Sequence, residues 1–346
     1  MIRVLVVDDS TTVRARLTEI LATDPEFSVI GQAADGREAI ELCARLRPDV
    51  ITLDLALPEI DGLGVTEHVM AVLPTPILIV SASFNRGEVF DMYQALRAGA
   101  VDVLEKPRDG DHDWEARFLS AVRMVARIKV ITHPRARLKS LARSSPAVPP
   151  PAQHAPPRAC ELLAIGASTG GPGAILDVLA GLPQPFHLPI AVVLHIDAAF
   201  AASFADWLGT RSGRPVQLAA EGTALADCDG IVLLAPPNSH MTIVHGRVRL
   251  VNGQPRHHCK PSIDVLFESI ALAQGERTLA VLMTGMGRDG AQGLLAIRRT
   301  GGITIAQDEA TSVVYGMPRE AAMIGAAEHI LPLGDIGPTI TALTKP

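Results

Sequence analysis

The sequence predicts an α/β protein of two doubly wound parallel-sheet domains, and three observations lead there. Short aliphatic runs alternate with helix-length mixed segments along most of the chain, the pattern of repeated βα units. The 346 residues are 48% hydrophobic but only 3% aromatic, which suits cores of Ala, Val, Leu and Ile such as those of parallel sheets covered by helices on both faces. Between the two alternating sections lies HPRARLKSLARSSPAVPPPAQHAPPR, whose Pro, Ala, Arg and Ser content cannot build a core and reads as an extended linker. The expected organisation is a domain over 1–131, a linker over 132–158 and a second domain over 159–346, each domain long enough to bury its own core.

In the first domain the apolar runs at Ile2 to Val7, Phe27 to Ile30, Val50 to Leu53, Ile77 to Val80 and Val101 to Leu104 read as five strands. Each is short, aliphatic and followed by a helix-length stretch, the last running from about Trp114 to Ile131. In the second domain the runs at Leu162 to Ile165, Ile190 to Leu194, Ile231 to Leu234, Leu279 to Met283 and Ile303 to Ala306 repeat the pattern. One antiparallel excursion interrupts it: TIVHGRVRLV alternates around His245-Gly246, a two-residue turn signal.

Charge is distributed unevenly. Net charges are −11 over residues 1–116, +8 over 117–157 and −3 over 158–346. An acidic first section and a last section without a basic stripe argue against nucleic-acid binding. No apolar run is long enough for a membrane helix and no signal peptide precedes the first strand, so a cytosolic protein without direct membrane insertion is expected. Four cysteines, Cys43, Cys160, Cys228 and Cys259, are scattered without a CxxC pair, which favours free thiols in a reducing compartment. His257-His258-Cys259 reads as a surface loop rather than a metal site, because no second ligand pair stands at a useful spacing.

Chemistry concentrates at strand ends. In the first domain Asp8 and Asp9 follow strand one, Asp54 follows strand three, Ser81 closes strand four and Lys106-Pro107 follows strand five. In a doubly wound sheet all of these meet at one edge. Clustered carboxylates call for a divalent cation, and hard oxygen ligands suit Mg²⁺; a carboxylate beside a metal and a lysine can accept a phosphoryl group.

In the second domain, Gly166-Ala-Ser168-Thr-Gly170-Gly171 brackets a serine with small residues at a strand-to-helix junction, which lifts a hydroxyl out of the sheet and leaves backbone N–H groups free. His195 ends a later strand and Asp289 lies in TGMGRDG. A serine needs a base, and a histidine held by a carboxylate is one; the glycines of Gly285-Met286-Gly287 could leave N–H groups for an oxyanion. Acyl transfer follows. Nucleotide binding is a rival, with Asp197 placed as a ribose-binding acid, although Ser168 stands where a dinucleotide fold needs its middle glycine. The order Ser168, His195, Asp289 also differs from that of α/β-hydrolases.

Residues 1–131, with VVDDS, LDLALPEIDG, VSAS and EKP, resemble the receiver domain of bacterial two-component response regulators. The resemblance implies a flavodoxin-like fold, Asp54 as phosphoacceptor, Asp8, Asp9 and Asp54 around Mg²⁺, Ser81 and Lys106 as the switch pair, and a histidine kinase as phosphodonor. Residues 160–346, with IGASTGGPGA, APPNSHM, KPSIDVLFESIA, TGMGRDGAQGLLAI and IAQDEATSVVYGMPREA, resemble the catalytic domain of the chemotaxis protein-glutamate methylesterases, a Rossmann-like domain. That implies Ser168 as nucleophile, His195 as general base and acid, Asp289 as its partner, Thr169 beside the nucleophile and the Met286 N–H in the oxyanion hole, with no cofactor for the esterase. It further implies γ-glutamyl methyl esters and glutamines of chemoreceptors as substrates, a monomer located at receptor clusters, and control by a receiver that blocks the serine site until phosphorylated. Three positions depart from the usual family pattern: His195-Ile196-Asp197, APPNSHM, and Cys259-Lys260 in place of an arginine before Pro-Ser. Two other classes stay open, a receiver with a DNA-binding output, against which the absence of a compact helix-turn-helix and the acidic last section count, and a catalytically silent adaptor.

Overall fold

A computed structural model describes residues 1–82, 86–107, 111, 113–128, 130 and 159–344. They fall into two compact units. The expected linker over 132–158, and the expected helix end at Ile131, lie outside the described residues.

The first unit alternates β1 (Ile2–Val7), α1 (Thr11–Ala22), β2 (Phe27–Ala33), α2 (Gly36–Leu46), β3 (Val50–Leu53), α3 (Gly62–Val72), β4 (Ile77–Ser81), α4 (Arg86–Ala98), β5 (Asp102–Glu105) and α5 (Trp114–Ala126). Its sheet has the order β2-β1-β3-β4-β5, and every pairing is parallel. The aliphatic strands are buried because helices cover both faces: Val4, Leu5, Val6, Ile51, Leu53, Ile77 and Ile79 have no more than 1% exposure. Helix starts follow their caps. Ser10, Asp35 and Asp61 each accept a hydrogen bond from the backbone N–H three residues on, satisfying a donor that the first turn leaves open. At the far edge Trp114 stacks on Phe118 and donates its indole N–H to Glu105 O at 2.6 Å, pinning α5 to the end of β5.

The second unit runs β6 (Leu162–Ala167), α6 (Gly171–Ala180), β7 (Ile190–Leu194), a short 3-10 turn (Ala198–Phe200), α7 (Ala201–Ser212), β8 (Val216–Leu218), β9 (Val232–Leu234), β10 (His240–Val244), β11 (Arg247–Val251), α8 (Ile263–Gln274), β12 (Thr278–Leu282), α9 (Ala291–Arg299), β13 (Ile303–Gln307), α10 (Met317–Met323), β14 (His329–Leu331) and α11 (Leu333–Leu343). Seven strands form a parallel sheet in the order β14-β13-β12-β6-β7-β9-β8, and β6, β7 and β12 at its centre are buried throughout. The hairpin β10–β11 forms a separate two-stranded sheet. Its turn residues His245 and Gly246 have φ of 50° and 70°, the pair of left-handed conformations that matches a tight hairpin turn to strand twist.

The structure adds two strands to those expected. β8 and β14 are three-residue edge strands with partly exposed side chains, too short and too mixed to carry an aliphatic signal. The strand expected from Ile231 starts at Val232, and that from Leu279 starts at Thr278. All four cysteines are free thiols. No helix among the described residues is long and apolar enough to cross a membrane.

Candidate active site and phosphoacceptor pocket

Strand order decides where the second unit can bind a ligand. The chain leaves β6 toward β7 on one side and later returns on the other through β12, so the carboxyl end of β6 is the point where the winding reverses and a crevice opens. Ser168 is the first residue after β6 and His195 the first after β7, and their predecessors Ala167 and Leu194 are register partners. Asp289 lies in the loop between β12, the other neighbour of β6, and α9.

The Ser168 loop is held by backbone and threonine contacts. Ser168 N–H donates to Thr284 O at 3.0 Å, and Gly171 N–H to Ser168 O at 2.6 Å. Thr284 Oγ1 donates to Thr169 O at 2.9 Å, while Thr284 N–H is held by Gln307 Oε1 at 2.8 Å. Gly170 takes φ of 77° in this turn, and α6 starts at the next residue. Gly285 is required by proximity: a Cβ there would lie 2.6 Å from Ser168 Cβ and 2.5 Å from Met317 Cε. Ser168 is half-buried. The N–H groups of Thr169 and Met286 make no hydrogen bond to another described residue and so remain available to an oxyanion.

His195 and Asp289 meet directly, Nε2 to Oδ2 at 2.9 Å. Asp289 is buried at the N-terminus of α8, where it accepts from Ser262 Oγ at 2.7 Å, Ile263 N–H at 2.7 Å and Asp264 N–H at 3.2 Å. Burial alone would raise its pKa, but the hydrogen bonds from His195, Ser262 and Ile263 outweigh it and hold the carboxyl below the ordinary range. Helix-terminal N–H groups favour the anion in the same sense. For His195, burial works against the imidazolium; the Asp289 hydrogen bond and the Cys259 contact reverse that and raise its pKa to about 9.

The other imidazole nitrogen, Nδ1, faces Cys259 Sγ at 3.6 Å. Ser168 Oγ makes no hydrogen bond to another described residue. The structure therefore joins two of the three expected catalytic side chains and places the third at the adjacent strand end, without a hydroxyl-to-imidazole bond. Such bonds are often long or unformed before substrate binds.

In the first unit the strand-end groups converge as the topology requires. Lys106 Nζ lies 2.7 Å from Asp54 Oδ2 and 2.7 Å from Asp8 Oδ2, and its amide N–H donates to Ser81 O at 3.0 Å. Asp8, Asp9 and Asp54 each offer a carboxylate oxygen within 4.8 Å of the others. Asp8 is buried, and its Oδ2 pairs with the Lys106 ammonium while Oδ1 accepts from Ser10 N–H at 3.0 Å. Burial and the neighbouring Asp54 raise the Asp8 pKa against the opposing pull of Lys106. The Lys106 ammonium loses by burial but gains more from Asp54 and Asp8, and its pKa rises. This donor set fits a hard divalent cation with open positions.

The family model described as CheB methylesterase matches residues 163–340, and that described as response regulator receiver domain matches residues 4–113. The chain is 42% identical to the protein-glutamate methylesterase/protein-glutamine glutaminase 4 of Geobacter metallireducens, covering 100% of this chain and 99% of the relative. It is 43% identical to the corresponding protein 2 of Pseudomonas aeruginosa over 96% of this chain and 94% of the relative. The chain belongs to the CheB methylesterase family. Among solved structures, the Thermotoga maritima CheB methylesterase catalytic domain aligns with a TM-score of 0.50 at 32% identity, covering 53% of this chain and 97% of that domain.

Within this CheB-family chain, several residues of the site were not legible beforehand. Asp197, weighed above as a ribose-binding acid, is exposed and caps the 3-10 turn through Ala199 N–H at 3.0 Å. Ser262 both caps α8 and binds Asp289; a serine just before an apolar helical run is a start signal that could have singled it out. Thr284 and Gln307 gave no such signal, because their roles come from strand neighbours. His257-His258-Cys259, read as a surface loop, is a turn of exposed and partly exposed residues, and it also lines a cleft with Met286, Arg288, Asp289 and Glu320.

Gly285→Ala tests the close approach of the loop after β12 to Ser168. The added methyl must displace Ser168, and about a hundredfold loss in kcat is expected with the circular dichroism spectrum retained; activity at the parent level would show that Ser168 does not need this spacing.

Proposed function

We propose that the chain is a phosphorylation-regulated serine esterase that hydrolyses glutamate γ-methyl esters, and deamidates glutamines, on chemoreceptors. The observation that carries the reading is the buried His195–Asp289 pair, one strand away from a glycine-bracketed serine with open N–H groups around it. The family membership narrows the acyl substrate to protein glutamyl esters and amides.

Ser168 Oγ attacks the ester carbonyl as His195 takes its proton, with Asp289 stabilising the imidazolium that forms. The Thr169 and Met286 N–H groups, which make no hydrogen bond to another described residue, would receive the oxyanion. His195 then returns its proton to the leaving methoxide, methanol departs, and water activated by the same imidazole hydrolyses the acyl-enzyme. With a glutamine the leaving group is ammonia. Because the His195 pKa is about 9, the imidazole is largely protonated at neutral pH and becomes a base as pH rises, so hydrolysis increases with pH up to that value.

In the receiver, Asp54 accepts the phosphoryl group from a histidine kinase. Asp8, Asp9 and Asp54 would hold Mg²⁺, which supplies positive charge to offset the phosphoryl oxygens. Lys106 stays on the phosphorylated carboxylate as its ion partner and Ser81 follows the new oxygens, and this rearrangement relieves the inhibition that the receiver exerts on the esterase. The domain limits of 1–131 and 159–346, and an intracellular location at receptor clusters, belong to the same reading.

Two substitutions test the two halves separately. In a methanol-release assay on methylated receptor, Ser168→Ala should lose activity by a factor of about a thousand or more, and an unchanged rate would end the esterase assignment. Radiolabel from a small phosphodonor should attach to the parent chain and be lost in Asp54→Asn, along with any rise in methanol release; label retained in the variant would name a different acceptor.

A further inference from the structure

Cys259 stands in the cleft beside the base and takes no part in the hydrolysis described above. Its Sγ lies 3.6 Å from His195 Nδ1, a usual separation for a thiol paired with an imidazole. The other ring nitrogen is already held by Asp289 at 2.9 Å, so the ring is fixed with Nδ1 toward sulfur. Cys259, His195 and Asp289 thus form a continuous relay of thiol, imidazole and carboxylate.

The backbone presents this thiol deliberately. Arg256 and Cys259 exchange both backbone hydrogen bonds, at 3.1 and 2.8 Å, around His257 and His258 with φ of 52° and 66°. Two successive non-glycine residues in the left-handed region are uncommon, and strain of this kind gathers at functional sites. The only other polar contact of Sγ among the described residues is His257 O at 3.4 Å. Cys259 is partly exposed and lines a cleft with His258, Met286, Arg288 and Glu320. Cys43 and Cys228 are buried, and burial pushes both thiols above their ordinary range.

We propose that Cys259 is a second reactive group of the site, a thiolate formed by proton transfer to His195 Nδ1, which captures soft electrophiles such as alkylating agents and peroxides and thereby silences the esterase. The S–H proton moves to Nδ1, giving an imidazolium between the thiolate and the Asp289 carboxylate. With an alkyl iodide the S–C bond forms as the C–I bond breaks and iodide leaves. With a peroxide the S–O bond forms as the O–O bond breaks, and the departing hydroxide takes the His195 proton as water. Either adduct leaves a bulkier, substituted sulfur packed against Nδ1, where it crowds the imidazole that serves as the base. The effect on hydrolysis rests on the esterase reading; the thiolate does not.

The test treats the full chain with iodoacetamide at neutral pH, following each cysteine by peptide mass and hydrolysis by methanol release. Cys259 should be alkylated about tenfold or more faster than Cys43 and Cys228, activity should fall in step with its labelling, and Cys259→Ser should keep its own starting activity throughout the treatment. His195→Gln should slow Cys259 labelling severalfold, which simple exposure would not do. Labelling of Cys259 no faster than Cys43, labelling unchanged in His195→Gln, or inactivation of Cys259→Ser at the parent rate would each overturn the proposal. A chain that labels fast but never releases methanol would overturn the ester assignment and leave the thiolate pair standing.

Discussion

The arrangement depends on Asp289 being kept ionised inside the protein. A buried carboxylate is costly unless its oxygens are satisfied, and here Ser262 Oγ, the Ile263 and Asp264 N–H groups and the His195 ring share the two oxygens. Two of these donors are the first N–H groups of α8, which would otherwise lack partners, and a third is the hydroxyl of its cap, Ser262. The carboxylate therefore locks three things at once: the start of α8, the β12–α9 loop and the orientation of the imidazole. The raised His195 pKa follows from it, and so does the direction in which Nδ1 points.

Both units use the same device for different chemistry. Parallel strands end together, and short loops at that edge project side chains from separate parts of the sequence into one place. In the first unit the groups are Asp8, Asp54 and Lys106, with buried opposite charges satisfied by ion pairing. In the second they are Ser168, His195 and Asp289, where the buried carboxylate favours the charged form of the imidazole beside it. Glycine permits the close approaches that the second site needs, at Gly285 against Ser168 and at Gly170 in the turn before α6.

Much of this was legible in the sequence. The five strands of the first unit and the central strands of the second are continuous aliphatic runs, because they are buried on both faces, and such runs announce themselves. The strand-end positions of Asp8, Asp54, Lys106, Ser168 and His195 follow from those runs alone. What escaped is what depends on contacts between elements. Asp289 could be proposed as the partner of His195, but not its seat on α8. Thr284 and Gln307 hold the Ser168 loop only because β12 lies beside β6 and β13 beside β12. The contact of Cys259 with His195 escaped because a turn built on two histidines in left-handed conformations has no sequence signal comparable to Asn-Gly, and because the distance from residue 259 to residue 195 is set by the sheet.

The most direct test of the account is an NMR titration of the His195 ring in the parent chain and in Asp289→Asn. A raised pKa means that the imidazolium persists above its ordinary range and is lost only at higher pH. The account predicts titration at about 9 in the parent and a clear fall in the variant, where the carboxylate is gone. Titration of both proteins near the ordinary histidine value of about 6.5 would contradict it, since the pair on which the site is built would then carry no charge coupling.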